Sequence, residues 1–259
     1  MLASYHTHTY RCKHAFGSEE KYIKKAIAED LAILGFADHA PMPYKNGHVS
    51  TYKMLPAQLD DYFDTLLGLR EKYKNEIDIK IGLEAEYYPS IWEDSLALWS
   101  KYPLDYLILG QHFVPEESPD PFLYTASPTT DGSRLSLYTD TIITAIETGK
   151  FSCVAHPDIL NYRGDTEFYI SEAQRLIRAA IEHKMPLEFN LLGMREQRNY
   201  PNSLFWNEVA RLGAEAVVGC DSHSPQRVCD SGEVKMAERY LSDKSINVRD
   251  RIELVNPFN

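Results

Sequence analysis

The stretch "LASYHTHTYRCKH", residues 2–14, starts as an apolar strand and places three histidines at and just beyond its end. Side chains two residues apart on a strand point to the same face, so His6 and His8 are directed at one spot. Such a pair is also found on half-exposed strands, so it indicates a site only if other strands send similar groups there. The arrangement of the remaining strands therefore decides what this stretch means.

Short apolar segments alternate with amphipathic segments along the chain, a pattern typical of parallel β/α architecture. The first strand is followed by neither a Gly-x-Gly-x-x-Gly segment nor a Walker loop, which argues against a nucleotide-binding fold. We predict one domain over residues 1–259, a seven-stranded parallel (β/α) barrel whose strands all end at one face. The predicted strands are 2–9, 32–39, 78–86, 105–112, 151–156, 186–190 and 215–221, and the predicted helices are 18–30, 58–73, 138–148, 171–183 and 203–211.

The composition of the 259 residues is that of an ordinary globular protein, with 44% hydrophobic residues and a mean hydropathy of −0.39. No apolar run approaches the ~20 residues of a membrane helix, and the first residues lack the pattern of a signal peptide. The four cysteines show no Cys-x-x-Cys spacing, so we expect a reduced, cytoplasmic chain with no membrane partner. A formal net charge of −11 argues against a general nucleic-acid partner.

Nearly every predicted strand ends in a side chain that can bind a metal ion. Seven of the nine histidines lie at or just after a strand end, and the exceptions are His48 and His183. Histidine nitrogen together with carboxylate oxygen suits zinc, manganese or iron better than magnesium or calcium. We therefore predict a site for more than one transition-metal ion. The groups at or after the strand ends are His6, His8, His14, Asp38, His39, Glu84, Glu86, His112, His156, Asp221 and His223, while the sixth strand offers Asn190.

Taken together and in order, these motifs resemble the motif set of the polymerase-and-histidinol-phosphatase (PHP) family over nearly the whole chain. Within that family, "GQHF", "AHPD" and "EFN" are similar to segments of the monofunctional histidinol-phosphate phosphatases. The resemblance implies a distorted seven-stranded (β/α) barrel that hydrolyses L-histidinol phosphate, in histidine biosynthesis, by attack of a metal-bridging hydroxide. The motifs are His6-Thr7-His8, Asp38-His39, Glu84, His112, His156-Pro157-Asp158 and Asp221-Ser222-His223.

The same resemblance implies three divalent transition-metal ions, of zinc, manganese or iron. Independently of it, Asp221 and His223 share one strand face. Asp38 is a ligand or an acceptor that orients a histidine, and we favour the second interpretation. Glu86, on the same face as Glu84, is an orienting group or a surface residue. By analogy with the family, one ion is held by His6, His8, Glu84 and Asp221, a second by Glu84, His112 and His156, and a third by His14, His39 and His223.

A phosphatase needs cationic groups beside its metal ions, and three arginines follow the fifth and sixth strands. We predict that Arg163 and Arg195 bind the phosphoryl group, because a planar guanidinium can contact two phosphate oxygens at once. Arg198 is interpreted as a surface residue.

Residues 115–136, rich in Pro, Ser, Thr and acidic residues, are predicted to form a long loop over the face where the strands end. The ammonium and imidazole groups of histidinol phosphate need acidic or aromatic partners. This loop is one source of them. Candidate partners are Glu116, Glu117 and Asp120 of the loop and the aromatic residues Phe113 and Tyr88.

Two other functions remain open at this point. A phosphodiesterase or nuclease could use the same metal ions, but the acidic charge and the lack of a basic, aromatic-lined groove argue against it. A catalytically inert metal-binding regulatory protein is the other alternative. The predicted arginines beside the site and the mixed histidine and carboxylate ligands argue against that alternative.

Overall fold

Seven parallel strands follow one another in the sheet in the same order as in the sequence, and they curl into a nearly closed barrel. The computed structural model describes residues 1–118 and 120–259. The predicted parallel (β/α) barrel is confirmed. The strands are β1 (Ala3–Ser4), β2 (Ile33–His39), β3 (Asp78–Ala85), β4 (Tyr106–Leu109), β5 (Cys153–Val154), β6 (Leu187–Asn190) and β7 (Ala216–Gly219).

Helices on the outside of the barrel connect the strands. The first turn of α1, for example, carries two acidic residues, Glu19 and Glu20, where the helix dipole favours negative charge. The α-helices of the described residues are α1 (Glu19–Ala28), α2 (Leu59–Tyr73), α3 (Trp92–Trp99), α4 (Gly132–Glu147), α5 (Thr166–Glu182), α6 (Leu191–Arg195), α7 (Ser203–Leu212) and α8 (Ser231–Asp243).

A short seam joins the first and last strands. Thr7, beyond β1, and Ser222, beyond β7, form an isolated parallel bridge. The His8 N–H donates to the Ser222 carbonyl at 3.0 Å, and the Ser222 N–H donates to the His6 carbonyl at 3.2 Å. The histidines of the opening stretch therefore lie directly beside the residues that follow β7.

The strands bury apolar side chains on both faces, as parallel strands in a barrel do. In β4, Tyr106 and Ile108 belong to the apolar cluster inside the barrel, while Leu107 and Leu109 belong to the larger cluster beneath the helices. The Tyr106 hydroxyl lies 2.7 Å from the Tyr5 carbonyl oxygen. These two layers hold the strand ends in a fixed relative position, which the site requires.

The predicted helices are found, but α4 starts before residue 138. Asp131 caps it by accepting a hydrogen bond from the Ser133 N–H. The Ser- and Asp-rich sequence there starts a helix, so the predicted loop 115–136 is wrong beyond residue 131, and residue 119 lies outside the described residues. The sequence analysis did not predict α3, α6 and α8. Among the described helices, none is both long and apolar enough to span a membrane.

Candidate metal centre and its cavity

The pairing of β2 with β3 brings the first histidine and carboxylate together. His39, the last residue of β2, lies opposite Glu84 of β3 in the strand register. Their side chains point to the same face, so His39 Nδ1 lies 2.7 Å from Glu84 Oε2. Because a slip of one residue would turn either side chain to the other face, this contact depends on the register.

Glu84 lies at the centre of the cluster and is almost fully buried. Its Oε1 is 2.9 Å from His156 Nε2, just beyond β5, and 3.6 Å from His112 Nε2, beyond β4. The same oxygen is 3.5 Å from His6 Nε2. One carboxylate thus faces histidines from four strands, which is the placement expected of a group shared by two ions.

Asp221, beyond β7, faces the two histidines of the opening stretch. Its Oδ1 lies 3.1 Å from His8 Nε2 and 3.6 Å from His6 Nε2. The two Nε2 atoms are themselves 3.1 Å apart. Two nitrogens bound at ~2.1 Å to one tetrahedral or octahedral ion are separated by roughly 3.0–3.4 Å, so this spacing fits ligands of a common metal ion.

The remaining predicted ligands lie on the solvent side of the cluster. His223 Nε2 is 2.9 Å from His14 Nε2, and His14 Nδ1 lies 2.7 Å from the Cys12 carbonyl oxygen. Ring nitrogens of His8, His39 and His223 all lie within 4.8 Å of one another. The structure therefore brings all nine predicted ligands into one cluster, including His14 from the loop.

Two carboxylate oxygens of the cluster indicate that it suits a cation. Glu84 Oε2 and Asp221 Oδ1 are buried, and neither accepts a well-aligned hydrogen bond from any described residue. A buried carboxylate oxygen whose neighbours are not aligned to donate a hydrogen bond is costly, because the contacts replace only part of the lost hydration. A metal ion bound between these oxygens and the histidine nitrogens would remove that cost.

The histidines and carboxylates shift one another's pKa. Burial acts to raise the pKa of the Glu84 carboxyl, but the surrounding histidines, His39 first, lower it well below its ordinary value. Burial likewise acts to raise the pKa of the Asp221 carboxyl, but the neighbouring histidines, His6 first, lower it well below its ordinary value. Burial lowers the pKa of His39 and of His223. Both carboxylates are therefore ionised near pH 7, which is the form that binds metal ions.

A cavity of about 480 Å³ opens above the cluster. Arg198 reaches its wall, with Nη1 3.1 Å from the Tyr200 hydroxyl and Nη2 2.6 Å from Glu196 Oε2. The cavity is therefore closed at its base by ligand-type groups and carries a guanidinium at its side. It is lined by His14, His39, Thr51, Tyr52, Glu84, His112, Phe113, Tyr124, His156, Leu192, Glu196, Arg198, Tyr200, Asp221 and His223.

Comparison with known proteins assigns the family. Residues 4–191 match the model of the PHP domain. The chain belongs to the PHP domain family. This PHP protein is 26% identical over 252 residues to the histidinol-phosphatase of Bacillus subtilis, covering 84% of this chain and 92% of the relative. It is 25% identical over 232 residues, 88% of each chain, to a Deinococcus radiodurans protein named probable histidinol-phosphatase.

A solved structure with the same fold is the histidinol phosphate phosphatase of Lactococcus lactis, crystallised with zinc, L-histidinol and phosphate. It superposes on this PHP protein with a TM-score of 0.74 and 19% sequence identity, covering 95% of each chain. At that identity the likeness establishes the shared fold.

Two carboxylates orient the histidines of this PHP protein from behind. Asp38 Oδ1 lies 3.3 Å from His8 Nδ1 and accepts the backbone N–H of His39 at 2.9 Å. This placement supports the interpretation of Asp38 as an orienting group. Glu188 of β6 was missed: its Oε1 lies 2.8 Å from His6 Nδ1, and its Oε2 accepts the His156 N–H at 3.0 Å. The signal was available, since Glu188 lies two residues before Asn190 and therefore points to the same, inner face of β6.

The structure does not bring the two predicted phosphate-binding arginines of this PHP protein to the cavity. Arg195 Nη1 bonds to Glu233 of α8 at 2.9 Å. Arg163 is exposed, and its Nε donates to Asn161. Arg198, which we interpreted as a surface residue, is exposed and also reaches the cavity wall. Its place at the cavity was not predicted from the sequence, and the roles of Arg163 and Arg195 gain no support from their positions.

The candidate substrate partners of this PHP protein divide in the same way. Phe113 lines the cavity, where its ring stacks on Tyr52 with centroids 5.9 Å apart and packs against Tyr124 at 5.5 Å. Tyr88 is fully buried outside the cavity lining. Glu117 is buried against other side chains. The accessible wall is therefore aromatic on the side of β4.

Proposed function

We propose that this protein is a metal-dependent phosphatase, one barrel over residues 1–259, that hydrolyses L-histidinol phosphate to L-histidinol and phosphate. The observation that carries the proposal is the cluster of nine metal-ligand groups beneath a cavity with a guanidinium at its wall. The names of the curated relatives and the zinc, histidinol and phosphate bound by the Lactococcus lactis protein support this choice of reaction and substrate. A biosynthetic reaction of this kind would take place in the cytoplasm.

The cluster offers three groups of ligands, as the family resemblance implied. We propose that zinc, manganese or iron ions occupy all three. The distances that support the grouping are those from Asp221 to His8, from Glu84 to His156 and from His14 to His223, all between 2.9 and 3.1 Å. The three proposed groups are His6, His8, Glu84 and Asp221; Glu84, His112 and His156; and His14, His39 and His223.

When bound, such ions supply Lewis-acid polarisation of the phosphate and lower the pKa of bound water. The protein's own residues hold the substrate in place. Arg198 lies where a guanidinium can contact two oxygens of a phosphoryl group and offset their charge. The Tyr200 hydroxyl fixes the Arg198 side chain at 3.1 Å, so the guanidinium is directed before substrate arrives.

The cavity also suits the organic part of the substrate. Its volume of about 480 Å³ lies within the ~300–1,000 Å³ typical of small-molecule sites. Tyr52, Phe113 and Tyr124 present ring surfaces on which an imidazole can stack. A substrate with a phosphate at one end and a flat ring at the other would therefore span the cavity from Arg198 to Phe113.

A steady-state assay of the zinc- or manganese-loaded protein tests the proposal. We expect hydrolysis of L-histidinol phosphate with a kcat/KM far above that for unrelated phosphate monoesters, and none of a bis-ester of phosphate. Preferential cleavage of the bis-ester would instead favour the phosphodiesterase alternative. A fully metal-loaded protein that hydrolyses none of these compounds would favour the inert metal-binding alternative.

A further inference from the structure

Lys53 is buried at a place where the proposed reaction gives it no role. Its side chain is about 2% exposed, and its ammonium lies between two carboxylates, 2.6 Å from Glu86 Oε2 and 2.8 Å from Glu117 Oε2. The ammonium donates its third hydrogen bond to the Tyr52 hydroxyl. Lysine is almost never fully buried without partners, because its charge must be taken out of water. These contacts therefore call for an explanation.

The first carboxylate leads to the metal cluster. Glu86 Oε1 accepts the backbone N–H of His112 at 2.8 Å and lies 3.3 Å from His112 Nδ1. The Tyr52 hydroxyl donates to the same oxygen at 3.1 Å. Glu86 thus holds His112 through its backbone N–H and lies beside Nδ1, which makes no well-aligned hydrogen bond among the described residues. The other ring nitrogen, Nε2, lies 3.6 Å from Glu84 Oε1. Glu86 is therefore an orienting group, which resolves its two alternatives from the sequence.

The second carboxylate leads to the wall of the cavity. Glu117 belongs to the segment 113–118, which begins at the cavity residue Phe113. Besides Lys53, it bonds to the Tyr44 hydroxyl at 2.5 Å and to His48 Nε2 at 3.0 Å. The buried Glu117 carboxylate thus ties the segment 113–118 to Lys53, Tyr44 and His48.

We propose that Lys53 is a positioning residue that joins these two carboxylates. Through Glu86 it fixes the ring of a metal-binding histidine, His112, and through Glu117 it fixes the aromatic wall that begins at Phe113. Without the ammonium, two buried carboxylates that both bond to Nζ would repel each other and separate. The inference rests on the proposed function, since it assumes that His112 binds a metal ion and that the cavity binds substrate.

Zinc titration of the metal-free protein by calorimetry, together with steady-state kinetics, tests this role. Groups that orient a metal ligand typically contribute about 10- to 100-fold in metal affinity. We expect Lys53→Met and Glu86→Gln each to weaken one class of Zn²⁺ site by that factor. Glu117→Gln is expected to leave Zn²⁺ affinity unchanged and to raise KM several-fold with little change in kcat. Lys53→Arg should partly restore both properties.

Arg70→Met is the matched control. Arg70 forms an ion pair with Asp105, just before β4, at the opposite end of the strands from the cluster. It should alter stability without altering Zn²⁺ affinity. If Lys53→Met does not fold, the nearly isosteric Glu86→Gln still decides the question.

Two results would overturn the inference in distinguishable ways. Folded Lys53→Met and Glu86→Gln variants that bind Zn²⁺ as tightly as the wild type would remove the positioning role and leave the proposed function intact. Wild-type protein that binds no Zn²⁺ would remove the proposed function and the positioning role together.

Discussion

Glu188 Oε1 lies 2.8 Å from His6 Nδ1, so His6 turns its other ring nitrogen toward the metal cluster. We expect Glu188→Gln to lower Zn²⁺ affinity by about 10- to 100-fold, because an amide no longer favours the ligand form of the imidazole as strongly. Zinc titration of the metal-free protein measures this. The exposed Glu182 of α5 gives the control, since Glu182→Gln should have no effect. Equal affinities for the two variants would contradict the orienting role of Glu188.

Removing one histidine should empty one part of the cluster. His112→Ala is expected to lower the metal content per chain and to reduce turnover by orders of magnitude, with the helical circular dichroism retained. The exposed His183, which follows α5, is the comparison, and His183→Ala should change neither quantity. Elemental analysis and kinetics on the two variants check this. Comparable losses in both would mean that His112 has no special place among the histidines.

Arg198 should act on substrate and not on metal. A charge-assisted hydrogen bond contributes roughly 1.5–3 kcal/mol, so Arg198→Ala is expected to lower kcat/KM by about ten- to a few hundred-fold at unchanged metal content. Arg198→Lys should recover only part of this, because an ammonium lacks the two-pronged geometry of a guanidinium. Arg163→Ala, in the exposed position, should have little effect on kcat/KM. A larger loss at Arg163 than at Arg198 would restore our original prediction for the phosphate site.

Gly110 is required because the Glu84 side chain passes over it. A Cβ at this position would lie 2.0 Å from Glu84 Oε1, so Gly110→Ala must displace the central carboxylate. We expect this variant to lose most of its Zn²⁺ affinity. Gly68, exposed within α2, has no atom within 4 Å of such a Cβ. Gly68→Ala should raise the melting temperature and leave Zn²⁺ affinity unchanged, since alanine favours a helix interior by up to ~1 kcal/mol.

Metal removal should destabilise the fold. The cluster places ionised carboxylates among buried histidines, and two of its carboxylate oxygens lack a well-aligned donor among the described residues. An ion at 100 times its Kd stabilises the native state by about 2.7 kcal/mol, so chelation should lower the melting temperature by about 5 °C or more. Scanning calorimetry with a chelator, followed by addition of Zn²⁺, measures this. An unchanged melting temperature would indicate that no ion is bound in the native state.

The positions of the histidines and carboxylates at the ends of the predicted strands were sufficient to predict the cluster. The apolar strands are short and well separated in the sequence, and their parallel order brings every carboxyl end to one face. A side chain such as Glu84 could then be assigned to the cluster from its place at a strand end. Glu188 was missed although the same rule applies to it, because Asn190 was taken as the group that this strand contributes.

The arginines could not be placed in this way, since they follow strands in segments whose local structure the sequence pattern did not reveal. After β6 the chain forms the short helix α6, capped by Asn190, which accepts the Gly193 N–H. This helix turns Arg195 toward Glu233 of α8, a helix that the sequence analysis did not predict. Arg198, beyond α6, is then directed to the cavity. The difference between the two arginines thus depends on contacts between elements far apart in the chain.

The seam between β1 and β7 gives the cluster a further consequence. His6 and His8 come from one side of it and Asp221 and His223 from the other, while the described backbone joins the two sides through the bridge between Thr7 and Ser222. An ion held by His8 and Asp221 would link the first and last strands of the barrel across this seam. Amide hydrogens near residues 6–8 and 221–223 would then exchange with solvent at a rate governed by how often the seam opens.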